Sequence, residues 1–374
     1  MKHFCFVTGL YERTDPLMFA RQGKSLVEAG FKVTYVVCDL EKDETIDGIN
    51  IISTKFKPKD RFDRFLNTKK ILWEYIKKID ADIYQLSDPE LISLIPKIKK
   101  IGKPVVFNMR EFYPDMLKKK HYIPKVFRNI ASNFYERLIV KNFKQANAVF
   151  TVTDWISDIL KNKYRIDKTY ILTNFPSVNK DFELTKEEYM SRPDTLCYEG
   201  TIYTSSRQEN VFDALSNIPN IHYILAGKID ETYSIIKQHP YWDKVEFING
   251  FTLEDLPKIF ARSTISNVFR DFGNRDGSLG VIKVFESMEA ALPVLFADVP
   301  LYRKINEKYN CGICVDPNNK QQIEDAIKYL VENKEEAYQM GQNGRRAVVE
   351  EYNWEMQAEN YVRIISELFK DNPL

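Results

Sequence analysis

RDFGNRDGSLGVIKVFESMEAALPVLFAD, residues 270–298, is the stretch from which the architecture can be read. A β-branched run, STISNVF (263–269), ends just before it, and a glycine-bearing loop follows. A helix is predicted to start near Gly280, and PVLFAD (293–298) reads as the next strand. On a helical wheel Val281, Phe285, Met288 and Leu292 share one stripe, predicted to pack on a sheet. Lys283, Glu286 and Ala290 fall on the opposite side. Strand, loop, helix, strand is the repeating unit of a parallel sheet.

Outward from that unit the pattern recurs in both directions. TLCYEG, HYILAG, VEFING and GICVD supply more strands in the second half, each separated by room for a helix. In the first half, KHFCFVTG, FKVTYVVC, INIISTKF, ADIYQLS, PVVFNMRE, AVFTVT and TYILTNFP alternate with helical runs, the longest over about residues 122–145. The polar segment 177–193 shows no clear apolar period and separates the halves. The predicted fold is α/β, with two Rossmann-like domains facing across a cleft. Residues 1–178 form the first and 192–351 the second, while 352–374 form a helix returning to the first. The cleft is the default ligand site.

Composition narrows the class. Of 374 residues, 44% are hydrophobic and 29% charged, as in an ordinary globular protein. No apolar run approaches the ~20 residues that span a bilayer. The opening MKHFCFVTGL reads as a first strand and not as a signal peptide, and the expected location is cytoplasmic. Five scattered cysteines fit a reducing compartment, and the lone CxxC of Cys311 and Cys314 reads as buried strand thiols. The net charge of +1 conceals an asymmetry: residues 1–176 carry 32 Lys and Arg against 21 Asp and Glu. Within 117–147 eight basic residues meet one acid, Glu136, with Phe127, Phe134 and Leu138 interleaved. A solvated basic face and peripheral contact with anionic lipid both fit that pattern. No nucleic-acid recognition module appears. The Asp80-Ala-Asp82 triplet sits at a helix-to-strand junction, where capping explains it better than metal binding.

The chemistry concentrates at the 280s. Free N–H groups at a helix start, here Ser278, Leu279 and Gly280, form a cradle for a diphosphate, and Lys283 adds a cation within the first turn. Glu286 is spaced to accept two hydrogen bonds from a ribose diol, or else it simply pairs with Lys283 on a wet surface. The run from Lys283 to Val294 resembles the donor-site motif of the retaining glycosyltransferases of family four, "glycosyl transferases group 1", which have the GT-B fold. Members typically read Lys-x-x-Glu-(Tyr/Ala)-Met-Ala-x-Gly-x-Pro-Val. Ala291 stands at their glycine, and Ser278 stands where many carry a further glutamate.

The same resemblance continues along the chain. CYEGTIYTSSRQENVFDAL (197–215) is similar to the family segment that opens the second domain. It implies that Gly200 lets the backbone approach the diphosphate and that Arg207 pairs with it. After VEFING, Phe251 takes the place beside the nucleobase. In the first half DIYQLSDPELI keeps the family's Asp88, Pro89 and Glu90. VVFNMREFYPDM keeps Glu111, Tyr113 and Pro114, with Arg110 replacing a histidine and Asn108 an aspartate. Asp88, Arg110 and Glu111 are thus expected on the acceptor or sugar side. The resemblance implies a retaining transfer from a UDP- or GDP-sugar to a saccharide or polyprenyl-linked acceptor, in surface polysaccharide or glycolipid synthesis. Arg207, Lys283 and Glu286 carry the reaction on this reading, without metal or cofactor. A nucleotide-sugar 2-epimerase and a non-catalytic nucleotide-sugar-binding protein are the other readings of the same fold.

Overall fold

The computed structural model describes residues 1–119, 123–179, 184–271 and 282–370. The chain forms two compact units, Met1–Asn174 with Glu355–Leu374, and Phe175–Trp354.

The first unit is built on an eight-stranded sheet. Its strands are β1 (His3–Thr8), β2 (Lys32–Val37), β3 (Glu44–Ile46), β4 (Ile49–Ser53), β5 (Ile83–Leu86), β6 (Val105–Met109), β7 (Ala148–Thr151) and β8 (Thr169–Ile171). Their order is β3-β4-β2-β1-β5-β6-β7-β8. The inner strands are buried on both faces, which is why VVFNM and AVFT are mostly apolar rather than alternating. A fully parallel sheet was the expectation, but β3 pairs antiparallel with β4. Asp47 (φ 50°) and Gly48 (φ 78°) make the two-residue turn that such a hairpin requires.

The second unit carries β9 (Thr195–Glu199), β10 (His222–Ala226), β11 (Val245–Ile248), β12 (Ile265–Asn267), β13 (Val294–Ala297) and β14 (Gly312–Val315). The order β11-β10-β9-β12-β13-β14 is the doubly wound one, with the reversal between β9 and β12. In the first unit the reversal lies between β1 and β5. Crossovers leave these two places on opposite faces, so a crevice opens at the carboxyl ends of the strands there. Gly200 and Arg270 lie just beyond one such crevice, and Gly9 and Asp88 beyond the other.

Two other expectations change. The segment 177–193, expected only as a polar boundary without a clear apolar period, contains a helix at Lys186–Ser191, started by a capping box between Thr185 and Glu188. The helix Ile282–Glu289 is buried on more than one stripe. Val284, Phe285 and Met288 are buried as its core face, but Ala290, assigned to the opposite side, is also only 2% exposed. The helix Lys334–Glu350 packs against the Met288 side: a Cβ on Gly341 would meet the Ala291 carbonyl oxygen at 2.0 Å, and one on Gly344 the Met288 Cγ at 3.3 Å. Val281 lies outside the described residues. Ala291 itself is left-handed (φ 55°) and ends the helix. An alanine there stores about 1–2 kcal/mol of backbone strain, offset in part by about 0.8 kcal/mol from its buried methyl.

The last helix, Trp354–Lys370, belongs to the first unit from Glu355 onward. Its Tyr361 is fully buried, stacks edge-on against Phe150 at 5.2 Å and donates to Gln85 Oε1 at 2.9 Å.

Candidate functional site

In the second unit the site grows from the end of β9. Gly200 adopts φ 109°, and its N–H donates to the Ala226 carbonyl at 3.0 Å, keeping the turn tight against β10. Lys283 reaches back over this turn from the helix Ile282–Glu289. Its Nζ donates to the Glu199 carbonyl oxygen at 2.8 Å and stands 3.9 Å above the Tyr198 ring. A Cβ on Gly200 would lie 3.1 Å from that Nζ, so a side chain there would crowd the cation. One of the three ammonium donors is thereby fixed, and no described residue takes the others. The ring face and the carbonyl hold the cation without neutralising it.

A cavity of about 180 Å³ adjoins Lys283, lined by Tyr198, Tyr203, Ser205, Ser206, Phe269 and Arg270 among others. Two of its walls, Tyr198 and Phe269–Arg270, come from the chain around the ends of β9 and β12, where the sheet order reverses. Such a polar-lined space beside an unneutralised cation suits an oxyanion.

The sequence-selected residues distribute unevenly around it. Lys283 and Gly200 are in contact. Glu286 is half-buried one turn along the helix, close enough for its charge to act on Glu199. Arg207 stands apart from the role expected of it: its guanidinium pairs with Asp271 at 2.5 Å and approaches Glu209 at 3.7 Å. Arg270, and not Arg207, lines the cavity with Lys283. Phe251 is half-buried and packs against the unit's apolar core. Ser278, Leu279 and Gly280 lie outside the described residues.

Glu199 was not selected, and it is the unusual residue here. Its side chain is buried at 4% exposure, with Oε1 unpartnered among the described residues. Burial pushes its carboxyl up to about 8; Lys283 opposes the shift and Glu286 adds to it. The only signal in the sequence is an acid where a parallel strand otherwise buries apolar side chains.

In the first unit Asp88 is fully buried beyond β5. It accepts from the Thr8 hydroxyl at 2.7 Å and the Gly9 N–H at 2.6 Å, tying the β1 turn to β5. Burial and neighbouring Glu90 raise its pKa, against the pull of those donors. Glu90 pairs with Arg64 at 2.7 Å. Arg110 lies 3.8 Å over the Tyr11 ring and pairs through both terminal nitrogens with Asp15, whose Oδ1 also accepts from Met18 N–H at 2.8 Å. Its charge is therefore already matched. Glu111 is exposed. Replacing Arg110 with methionine is expected to cost about 2 kcal/mol, below the 3–5 kcal/mol of a fully orphaned buried charge, because Asp15 keeps its backbone donors. Urea unfolding of the variant measures this.

Asp80 pairs with Lys103 at 2.9 Å and Asp82 accepts from His3 N–H at 2.8 Å, so both aspartates of the triplet are structurally occupied. Cys311 and Cys314 are both free, and burial pushes each thiol up to about 12. Among the described residues no group of three or more His, Cys, Asp or Glu could hold a metal ion, and no helix is long and apolar enough to cross a membrane.

Residues 180–347 match the family "Glycosyl transferases group 1", and residues 19–176 match "Glycosyltransferase Family 4". The chain belongs to the group 1 glycosyltransferases. Among curated relatives of this family member is the O-antigen chain mannosyltransferase of Salmonella typhimurium, 23% identical over 60% of this chain and 59% of its own length. Another is an uncharacterized glycosyltransferase of Methanocaldococcus jannaschii, 22% identical over 65% of this chain and 64% of its own. The match thus spans about three fifths of these relatives. Solved structures with the GT-B fold superpose over nearly everything. Sucrose-phosphate synthase of Thermosynechococcus elongatus gives a TM-score of 0.77 at 16% identity, covering 99% of this chain and 100% of its own. HepE of Anabaena, in complex with UDP and glucose, gives 0.71 at 12%, covering 98% and 99%. WaaG, a glycosyltransferase involved in lipopolysaccharide biosynthesis, gives 0.70 at 16%, covering 97% and 99%.

Proposed function

We propose that this group 1 glycosyltransferase moves a sugar, with retention at the anomeric carbon, from a UDP- or GDP-sugar to a saccharide or lipid-linked saccharide. The observation that carries the reading is the Lys283 ammonium, held over Gly200 at the mouth of a polar cavity where the second sheet reverses its order. The acceptor oxygen bonds to the anomeric carbon as the carbon–oxygen bond to the diphosphate breaks, and the acceptor's proton passes to a departing phosphate oxygen. Lys283, with Arg270 nearby, stabilises the charge that develops on that diphosphate, so no metal is required. Glu286 orients the nucleotide. The UDP and glucose in HepE, and the polysaccharide roles in the names of the Salmonella relative and WaaG, support a nucleotide-sugar donor and a surface-glycan product. A thermal-shift screen against UDP, GDP and their sugars tests it: one nucleotide class raises the melting temperature by mass action. No shift with any of them refutes the reading.

We also infer that the protein works on the cytoplasmic face of a membrane, docked through the first unit. On the helix Lys125–Phe143 the side chains of Val126, Phe127, Ile130 and Phe134 are 57–75% exposed. Phe62 and Phe65 are exposed at 73% and 65% on a second element. Both elements meet at the residues after β5, where Arg64 pairs with Glu90 and the Tyr135 hydroxyl donates to the Pro89 carbonyl. Lys125, Arg128, Arg137 and Lys141 supply charge complementary to anionic lipid. Replacing both Ile130 and Phe134 with aspartate is expected to lower co-flotation with phosphatidylglycerol vesicles at least about tenfold. Equal flotation of variant and parent would remove the assignment.

A further inference from the structure

We propose that Glu199 is a positioning residue that carries a proton at the donor site and couples the arrival of an anionic donor at Lys283 to proton uptake. This rests on the donor-site reading above. Glu199 ends β9, and its side chain is turned away from water, with Oε1 lacking a partner among the described residues. Lys283 is the cation that acts on it, but the ammonium donates to the backbone carbonyl of Glu199 and lies over the ring of Tyr198. The groups acting on the carboxyl can be named. From the helix Ile282–Glu289 they are Lys283 and Glu286; Cys197 of β9, two residues back on the same face, is a neutral thiol that the carboxyl in turn affects. Beyond β12, Arg270 borders the same cavity, while Ser266 and Asn267 of β12 carry no charge. Lys283 therefore serves both the buried acid and any ligand in the cavity.

The consequence is electrostatic. A diphosphate at Lys283 brings negative charge close to Glu199 and occupies the cation that favours its ionised form. The protonated carboxyl meets no repulsion, whereas the ionised one does. Binding draws a proton from solvent onto the Glu199 carboxylate, and donor affinity falls as pH rises past the value at which the free site ionises. With one proton coupled, the fall is at most about tenfold per pH unit. A carboxyl held this way also keeps the β9 end neutral beneath the ammonium, so that Lys283 stays available.

Calorimetry with UDP-glucose and GDP-mannose, in buffers of different ionisation enthalpy between about pH 6.5 and 9, counts the protons directly. Wild type is expected to take up a substantial fraction of a proton on binding at the alkaline end. Glu199→Gln is expected to take up none there, to bind with an affinity flat in pH, and to match wild type within about twofold at the acid end. Equal uptake by the variant, or binding by wild type without uptake, overturns the proposal. The wild-type count alone decides if the variant fails to fold. Absence of binding by either nucleotide sugar, or by UDP and GDP, at every pH refutes instead the donor-site reading and takes this proposal with it.

Discussion

Methionine in place of Lys283 is expected to lower kcat/KM for the donor by about 10²–10³-fold, the range for removing one preorganised donor from a developing oxyanion. Methionine nearly fills the volume of the lysine stem, so the packing over Tyr198 survives and the loss reports charge. The ammonium is held by one carbonyl and one ring face, and neither neutralises it. Its charge therefore remains available to a departing diphosphate, on the function proposed above. Steady-state kinetics with a calorimetric donor titration separates the contributions: kcat falls more than affinity if the cation acts chiefly in the transition state. A variant with unchanged kcat/KM would show that the cavity beside Gly200 is not where the diphosphate departs.

Alanine at Gly227 is expected to destabilise the protein by at least about 3 kcal/mol. It is also expected to abolish any nucleotide-induced thermal shift. Gly227 follows β10 with φ 145°, and a Cβ there would lie 1.8 Å from the Gly200 carbonyl oxygen and 2.7 Å from its carbonyl carbon. Backbone atoms cannot yield as a flexible side chain would. Relief requires β9 and β10 to splay at their ends, breaking the bond from Gly200 N–H to the Ala226 carbonyl. Gly200 is the floor beneath Lys283, so the same displacement dismantles the cation's seat. Thermal unfolding reads the first effect at roughly 2–4 °C per kcal/mol for domains of this size. A melting temperature within 2 °C or so of the parent would contradict it.

The two sheets were legible because most inner strands are buried on both faces and so print short runs rich in apolar residues. What sequence periodicity cannot carry is a partner far along the chain. Arg207, expected from the resemblance beside a diphosphate, also pairs with Asp271, 64 residues on, a partner no local pattern shows. Arg270, one position before that aspartate, faces the cavity instead. Glu199 was hidden for a related reason: within Cys-Tyr-Glu-Gly nothing distinguishes an outward acid from a buried one until the helix above it is in place. A one-faced wheel likewise cannot show that the helix Lys334–Glu350 packs against the Met288 side, or that Ala290 on the opposite side is buried. The β3–β4 hairpin, by contrast, had a local cue in Asp47-Gly48, which was passed over.

The first unit takes its final helix from the far end of the chain, after all 180 residues of Phe175–Trp354. During synthesis the sheet carrying Gln85 and Phe150 emerges early but waits, with that face uncovered, until Tyr361 leaves the ribosome. The second unit, unbroken in sequence, has everything it needs first. Completion therefore runs against chain order: the segment that finishes the earlier-made half is translated only after the whole second unit.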